Sequence, residues 1–390
     1  MPETRVDAGI TMSNLIDENQ IEQEEIDSTY EESASEKVDE PIKEPFDPKK
    51  IEIITKPSSV DLLCKRLKKN EINLYTHFQR EGNLWDNKKQ SQLIESMLIR
   101  LPLPAFYFDA SNDNSWLVVD GLQRLYSIKN FIVDKKMKLS DLQYLKQFDG
   151  CTFIDLPREL QRRIEETQII VFLISSGTPP NVKFNLFQRL NTGGLVLTPQ
   201  EIRHALNQGI PADFIKELAE LDEFKTATHG LLQPKRMEDR DFVTRALAFM
   251  TQSYTEYSPD LDEYLFKQMA KIGEKSEKER IKLKSDFINS LKTCYEIMKE
   301  FAFRRRTLDV PIKKNKINKA LFEVWISEIS ILDKDSQTKL IAQKDNLNNK
   351  FMKLNTDPFF IKSITSGTGK KSTVVNRHQK IREIIQEVLL

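Results

Sequence analysis

The apolar positions of this chain fall into short clustered runs in its first half and into helical spacing in its second. Residues 58–69 read as a short amphipathic helix, with Ser58 as N-cap and Leu62, Leu63 and Leu67 on one face. A strand candidate follows at 72–78. Asp86 then caps a helix over 88–100, in which Leu93, Ile94, Met97 and Leu98 recur at helical spacing. Leu101-Pro102-Leu103-Pro104 ends it, because a residue before proline is pushed out of the α region. Residues 105–108 and 116–119 are short apolar runs separated by turn formers, which predicts a hairpin. The second run enters Asp120-Gly121 and then a helix over 123–133. Further strands are expected at 151–155 and 168–174, with a short helix at 157–166 that has proline in its first turn.

From Pro179 onward the pattern is helical almost throughout. A helix over 181–190 ends in Asn191-Thr192-Gly193-Gly194, a glycine C-cap signature. Thr198-Pro199-Gln200-Glu201 is a capping box that opens the next helix. Further helices are expected at 211–224, 238–252, 261–272, 276–302, 315–332, 335–353 and 374–389. The fold class is therefore α+β: a small mixed sheet with helices, followed by a mainly helical region. The expected organisation is an acidic disordered tail at 1–50, a phosphate-binding domain at 51–208 and a helical domain at 209–390.

Charge changes this picture. The 59 basic and 59 acidic residues cancel over the whole chain. Residues 1–48 hold 15 acids against 3 bases, however, leaving 44 acids and 56 bases in 49–390, a body of +12 and a tail of −12. A basic body points to an anionic partner, and an acidic tail without apolar periodicity reads as a solvating segment. No apolar run reaches the length needed to span a bilayer, and the first residues lack a signal-peptide pattern, so no membrane is expected and the cytoplasm is the expected location.

Cys64, Cys151 and Cys294 are far apart and lie in apolar contexts, which predicts small buried hydrophobes rather than a zinc site or a disulfide. The four histidines form neither zincin nor His-x-x-Pro nuclease patterns. Ser366-Gly367-Thr368-Gly369-Lys370-Lys371-Ser372-Thr373 lacks the first glycine and the preceding strand of a phosphate-binding P-loop, so a flexible loop is expected.

The segment from Trp116 to Tyr126 carries the most chemistry. A buried strand ends in Asp-Gly and a helix starts at once. Backbone N–H groups at a helix start are unpaired and carry partial positive charge, and Gly121 lets an anion approach the backbone. Gln123 and Arg124 add donors, and an arginine grips phosphate with two parallel bonds. Asp120 is suited to hold a metal, to orient the arginine or to cap the helix; an ordinary N-capped helix with a surface arginine fits the spacing equally. Gln79 and Arg80 lie at the exit of an expected strand. Gln188, Arg189 and Asn191 lie at the polar end of the 181–190 helix.

These segments, in this order, resemble the N-terminal domain family of GmrSD-type modification-dependent restriction endonucleases. Phe78-Gln79-Arg80 with Trp85 matches the first element, and Leu93-Ile94-Glu95-Ser96 with Pro102 and Pro104 the second. Asp120-Gly121-Leu122-Gln123-Arg124 matches the third. Arg189-Leu190-Asn191-Thr192-Gly193-Gly194 with Glu201-Ile202-Arg203 matches the fourth. The resemblance implies a ParB- and sulfiredoxin-like fold and a nucleotide-phosphate site at the Asp-Gly turn, taking a nucleoside triphosphate with Mg2+. It implies Asp120, Gln123 and Arg124 as catalytic residues. Gln79, Arg80, Gly121, Arg189, Asn191, Gly193 and Gly194 would complete the nucleotide wall. Two departures stand out. Leu122 replaces a glutamine of the family's turn, which weakens the case for hydrolysis more than that for binding. The chain also shows no His-Asn-His nuclease motif, so cutting would fall to a separate partner.

Three readings follow: an NTP-binding protein, with or without hydrolysis, of a prokaryotic restriction or phage-defence system; a non-catalytic nucleic-acid-binding module; and a Mg2+-dependent nuclease using Asp120, Glu201, Glu238 and Asp241. For DNA contact the candidates are Arg304, Arg305, Arg306, Lys313, Lys314 and Lys316, a basic cluster whose phosphate contacts would be salt-sensitive. The sequence assigns neither a metal-ligand set nor an oligomeric state.

Overall fold

In a computed structural model of the chain, residues 51–74, 85–190, 197–306 and 316–390 are described. The acidic segment 1–50 lies outside them, as do Gln79, Arg80, Asn191, Gly193, Gly194, Lys313 and Lys314.

Five strands form one mixed sheet in the order β1-β5-β3-β4-β2. These are β1 (Ile53–Ser59), β2 (Ile72–Asn73), β3 (Phe106–Asp109), β4 (Trp116–Asp120) and β5 (Gln168–Ile174). The expected β3–β4 hairpin is present and antiparallel. β1 pairs antiparallel with β5, while β3–β5 and β2–β4 are parallel. β1 has mostly exposed residues and contains Pro57. Proline cannot donate to a ladder, and an edge strand tolerates it.

One face of the sheet buries Phe106, Phe108, Trp116, Val118, Ile169 and Val171. Against it pack α1 (Val60–Lys68), α2 (Asn87–Leu98), α3 (Leu122–Ile128) and α4 (Arg158–Glu165). α1 is capped by Ser59, one residue later than expected, and α2 by Asp86, whose side chain accepts from Lys89 N at 2.8 Å. α3 continues directly into a π-helical turn, Lys129–Val133. Residues 151–155 are not the strand the apolar run predicts. Thr152 N and Oγ1 both donate to Asp155 Oδ2, at 2.8 and 2.7 Å, and close a 3-10 turn at Phe153–Asp155. Local side-chain bonds of this kind compete with a strand ladder.

The opposite face, Val119 and Ile174, meets Phe184 and Phe187 of α5 (Pro180–Leu190) and Ile202 of α6 (Pro199–Leu206). The expected capping box opens α6: Thr198 N donates to Glu201 Oε2 at 2.7 Å and Glu201 N to Thr198 Oγ1 at 3.2 Å.

The remaining helices are α7 (Ile210–Glu220), α8 (Asp222–Ala227), α9 (Glu238–Thr251), α10 (Leu261–Glu274), α11 (Glu277–Met298), α12 (Lys319–Ser330), α13 (Lys334–Ala342), α14 (Lys344–Leu354), α15 (Pro358–Thr365) and α16 (Lys371–Leu389). The single helix expected at 335–353 is two, broken at Gln343, and α15 is additional. Trp325, Phe322, Phe287 and Ile381 lie in the core they share. Phe266 of α10 reaches Phe184 of α5, with ring centroids 5.3 Å apart, so the sheet-bearing part and the helices share packing. Cys64 and Cys294 are buried, as their apolar contexts predict, and burial pushes the Cys64 thiol up to about 12. No helix among the described residues is long and apolar enough to cross a membrane.

Candidate functional site at the Asp-Gly turn

Gly121 is the N-cap of α3, with φ +98°. A Cβ there would sit 2.5 Å from Phe106 Cδ1 and 3.3 Å from Arg124 Nη2. Both the left-handed backbone and the close approach demand glycine. No side chain caps this helix start.

Arg124 has a different task from the phosphate grip its position suggests. Its guanidinium donates to the backbone carbonyls of Pro104 and, at 3.1 Å, Ala105, and to Asp120 Oδ2 at 2.9 Å. It lies 4.5 Å from the centre of the Phe106 ring, and the residue is 7% exposed. Burial lowers its pKa from the ordinary arginine value and the Asp120 carboxylate opposes that shift, so the group stays charged at physiological pH. The end of the Pro102-x-Pro104 segment, read in the sequence as a helix terminator, and Ala105 after it each present a carbonyl, and Arg124 staples both to the turn. Asp120 retains a partly exposed side chain, at 30%.

Gln123 Oε1 accepts from Trp85 N at 3.0 Å, and Tyr126 OH donates to Leu74 O at 3.2 Å. Both flanks of the segment 75–84, which holds Gln79 and Arg80, are thereby tied to α3. Gln90 Nε2 donates to Trp85 O at 2.7 Å, extending the connection to α2. Trp85 of the first motif and Pro104 of the second therefore meet the third motif at the start of α3. Leu122 packs against the sheet core, so this position supplies packing rather than a polar group.

Glu95, the carboxylate of the Leu-Ile-Glu-Ser motif, is 3% exposed. It accepts from the backbone N–H groups of Gln143, Tyr144 and Leu145, at 3.0, 2.7 and 2.8 Å. Burial works to raise its pKa, but the three backbone donors outweigh burial and the net shift is downward. A depressed carboxylate pKa contributes stability above the unfolded value, and that stability is lost as pH falls through the folded value. Glu95→Gln is expected to cost about 2–3 kcal/mol near neutral pH, since an amide nitrogen faces donors where an oxygen accepted. Chemical denaturation should show the gap from wild type closing on acidification; a gap independent of pH would exclude this role.

In the fourth motif, Arg189 is exposed at the end of α5, on the helix that covers Val119. Lys183 on the same helix is buried against Asp109 at 3.2 Å. Arg203 is 1% exposed and donates to Gln200 Oε1 at 2.8 Å, to Asp262 Oδ1 at 2.7 Å and to Asp241. Glu201 pairs with Arg236 at 3.0 Å. The Glu-x-Arg pair thus fixes α6 to α9, α10 and the turn before α9.

The carboxylates proposed to bind Mg2+ in a nuclease are not gathered. Asp241 lies between Arg203 and Lys319, Glu201 is buried on Arg236, and Glu238 is exposed at the start of α9. Among the described residues, no group of three or more His, Cys, Asp or Glu side chains is placed to hold a metal ion. The basic cluster also differs from its sequence reading. Arg304 is 4% exposed, and Arg306 lies 4.0 Å from the Phe301 ring centre, which leaves Arg305 and Lys316 as its exposed described members. The loop before α16 is held in place: Arg377 Nη1 donates to Thr368 O at 2.7 Å, and Thr373 Oγ1 donates to Gly367 O at 2.6 Å.

Residues 61–207 match the family model of the GmrSD restriction endonuclease, N-terminal domain. Among solved structures, a Pnob8-like ParB-N domain is similar at 13% identity, covering 86% of this chain and 98% of that chain with a TM-score of 0.22. No curated protein matches the chain. The matched segment 61–207 carries β2–β5 and spans all four motifs, and it is this part of the chain that is similar to the GmrSD N-terminal family.

Proposed function

We propose that this protein is the nucleotide-binding member of a DNA-restriction system, taking a nucleoside triphosphate at the turn between β4 and α3. The observation that carries this reading is the meeting of Trp85 and Pro104, from two motif segments, with the Asp-Gly turn of a third at one uncapped helix start. Its first N–H groups have no capping side chain, and Gly121 keeps the approach to them free of a side chain. A single partly exposed carboxylate, Asp120, suits Mg2+ held mainly through the nucleotide's own phosphates. The metal would neutralise phosphate charge; the chain's residues position and bind. Arg124 acts as a positioning residue that fixes the turn, while Gln123 and the exposed Arg189 stand as ligand contacts. With Leu122 turned to the core, the reading is one of binding first and hydrolysis second. Titration calorimetry of the full chain with ATP, GTP and CTP in Mg2+ tests it: one saturable event supports the reading, and silence with all three contradicts it.

A second reading, contact with DNA, is favoured by charge. Residues 49–390 carry 56 bases against 44 acids, and a basic surface steers a polyanion.

A further inference from the structure

We propose that a lysine surface beside the α3 turn, built from the first turn of α2 and the segment 134–146, docks the phosphate backbone of duplex DNA. This rests on the second reading above and assigns it a place. Lys88, Lys89, Lys135, Lys136 and Lys138 are all exposed, and none forms an ion pair among the described residues. Some lysines on other helices have their own carboxylates, such as Lys65 with Asp61, Lys267 with Glu263 and Lys282 with Asp286.

The two parts of the surface are held together by polar contacts. Asn87 Nδ2 donates to Lys138 O at 2.9 Å and to Ser140 Oγ at 2.7 Å. Ser140 N donates to Ser91 Oγ at 3.0 Å, and Asn130 Nδ2 to Gln90 Oε1 at 3.0 Å. Lys136 N donates to Asn130 O at 3.1 Å. Most neighbouring acids are already engaged: Asp86 caps α2, Asp134 pairs with Lys129, and Asp155 closes the 3-10 turn. Asp141 is exposed beside them. Tyr144, 70% exposed, is fixed by its backbone bond to Glu95 and offers a ring and hydroxyl to the sugar–phosphate chain. The surface begins three residues after Trp85, whose backbone meets Gln123, so DNA held here would lie next to the nucleotide turn.

Phosphate contacts release counterions, and each contributes about 0.9 to the slope of log affinity against log salt. The test is fluorescence anisotropy of a short labelled duplex with the full-length protein, between about 50 and about 200 mM salt. Lys135→Glu/Lys136→Glu/Lys138→Glu should weaken binding at least about tenfold at low salt and flatten the slope by about 2–3. Lys88→Gln/Lys89→Gln should flatten it by about 2, while Lys65→Gln/Lys282→Gln, at lysines already paired with Asp61 and Asp286, leaves it unchanged. All these side chains are exposed, and unchanged melting profiles would exclude misfolding. Wild-type binding that neither variant of this surface alters overturns it and leaves the DNA reading standing. No wild-type binding at low salt overturns the DNA reading itself.

Discussion

Arg124→Ala is expected to lower the stability of the folded protein by about 3 kcal/mol, because hydrogen bonds to charged groups contribute about 1.5–3 kcal/mol each and several are lost together. The guanidinium joins two separate pieces of chain: the stretch Pro104–Phe106 after α2, through two carbonyls and the Phe106 ring, and Asp120 at the end of β4. Truncation strands Asp120 and opens the approach that Gly121 keeps close to Phe106. Arg124→Lys keeps the charge but places one compact ammonium where a fork reached three acceptors, so it should recover less than half of the loss. Urea denaturation with an unchanged m-value is the measurement. A midpoint equal to wild type would mean that the arginine is not held as described. The same expectation changes how a binding defect in this variant is read: lost nucleotide affinity in Arg124→Ala would report a collapsed turn and not a missing phosphate contact.

Glu323→Ala is expected to cost about 3–5 kcal/mol, the range for removing one partner of a buried ion pair. Glu323 is fully buried on α12 between Arg245 of α9 and Arg377 of α16. Arg245 Nε donates to Glu323 Oε2 at 2.6 Å and Arg377 Nε to Oε1 at 2.7 Å. Burial works to raise the Glu323 pKa, and Arg245, Arg377 and His378 together bring it below the ordinary carboxylate value. The stabilisation is thus present above the unfolded pKa and is lost as pH falls through the folded one. Removing Glu323 leaves two guanidiniums in an apolar interior. Adding Arg377→Met to Glu323→Ala should restore part of the loss, since one stranded cation leaves and an apolar chain fills its place. If the single variant melts within a degree of wild type, the ion pair is not a buried one in solution.

Local signals made the helix starts and the hairpin legible in the sequence. Asp86 and Thr198 sit three residues before the donors they cap, so both appear from spacing alone. The β3–β4 hairpin is marked by turn formers between two apolar runs. β1 is hidden because an edge strand buries little, and its run Ile53–Ser59 contains Pro57. Long-range acceptors were hidden too. Nothing near Arg124 in the chain shows that it bonds carbonyls 19 and 20 residues earlier. Nor does the run Arg304-Arg305-Arg306 show its own division. Phe303, at φ +60°, turns the chain there, so that Arg304 is buried and Arg305 exposed. The lysine surface is hidden for a similar reason, since its two parts are more than forty residues apart and meet through bonds of Asn87, Gln90 and Ser91 to distant residues.

The most direct test of the nucleotide site compares wild type with Gln123→Glu by calorimetric titration with ATP, GTP and CTP in Mg2+. Glutamate keeps the oxygen that accepts from Trp85 N, a negative charge near a helix start is favourable, and a melting curve of the variant separates lost binding from lost fold. The same charge would repel a phosphate bound at that start. Binding by wild type that weakens at least tenfold in Gln123→Glu is the predicted result. Equal affinity in the two proteins, or no binding by wild type, would contradict a nucleotide site at this turn.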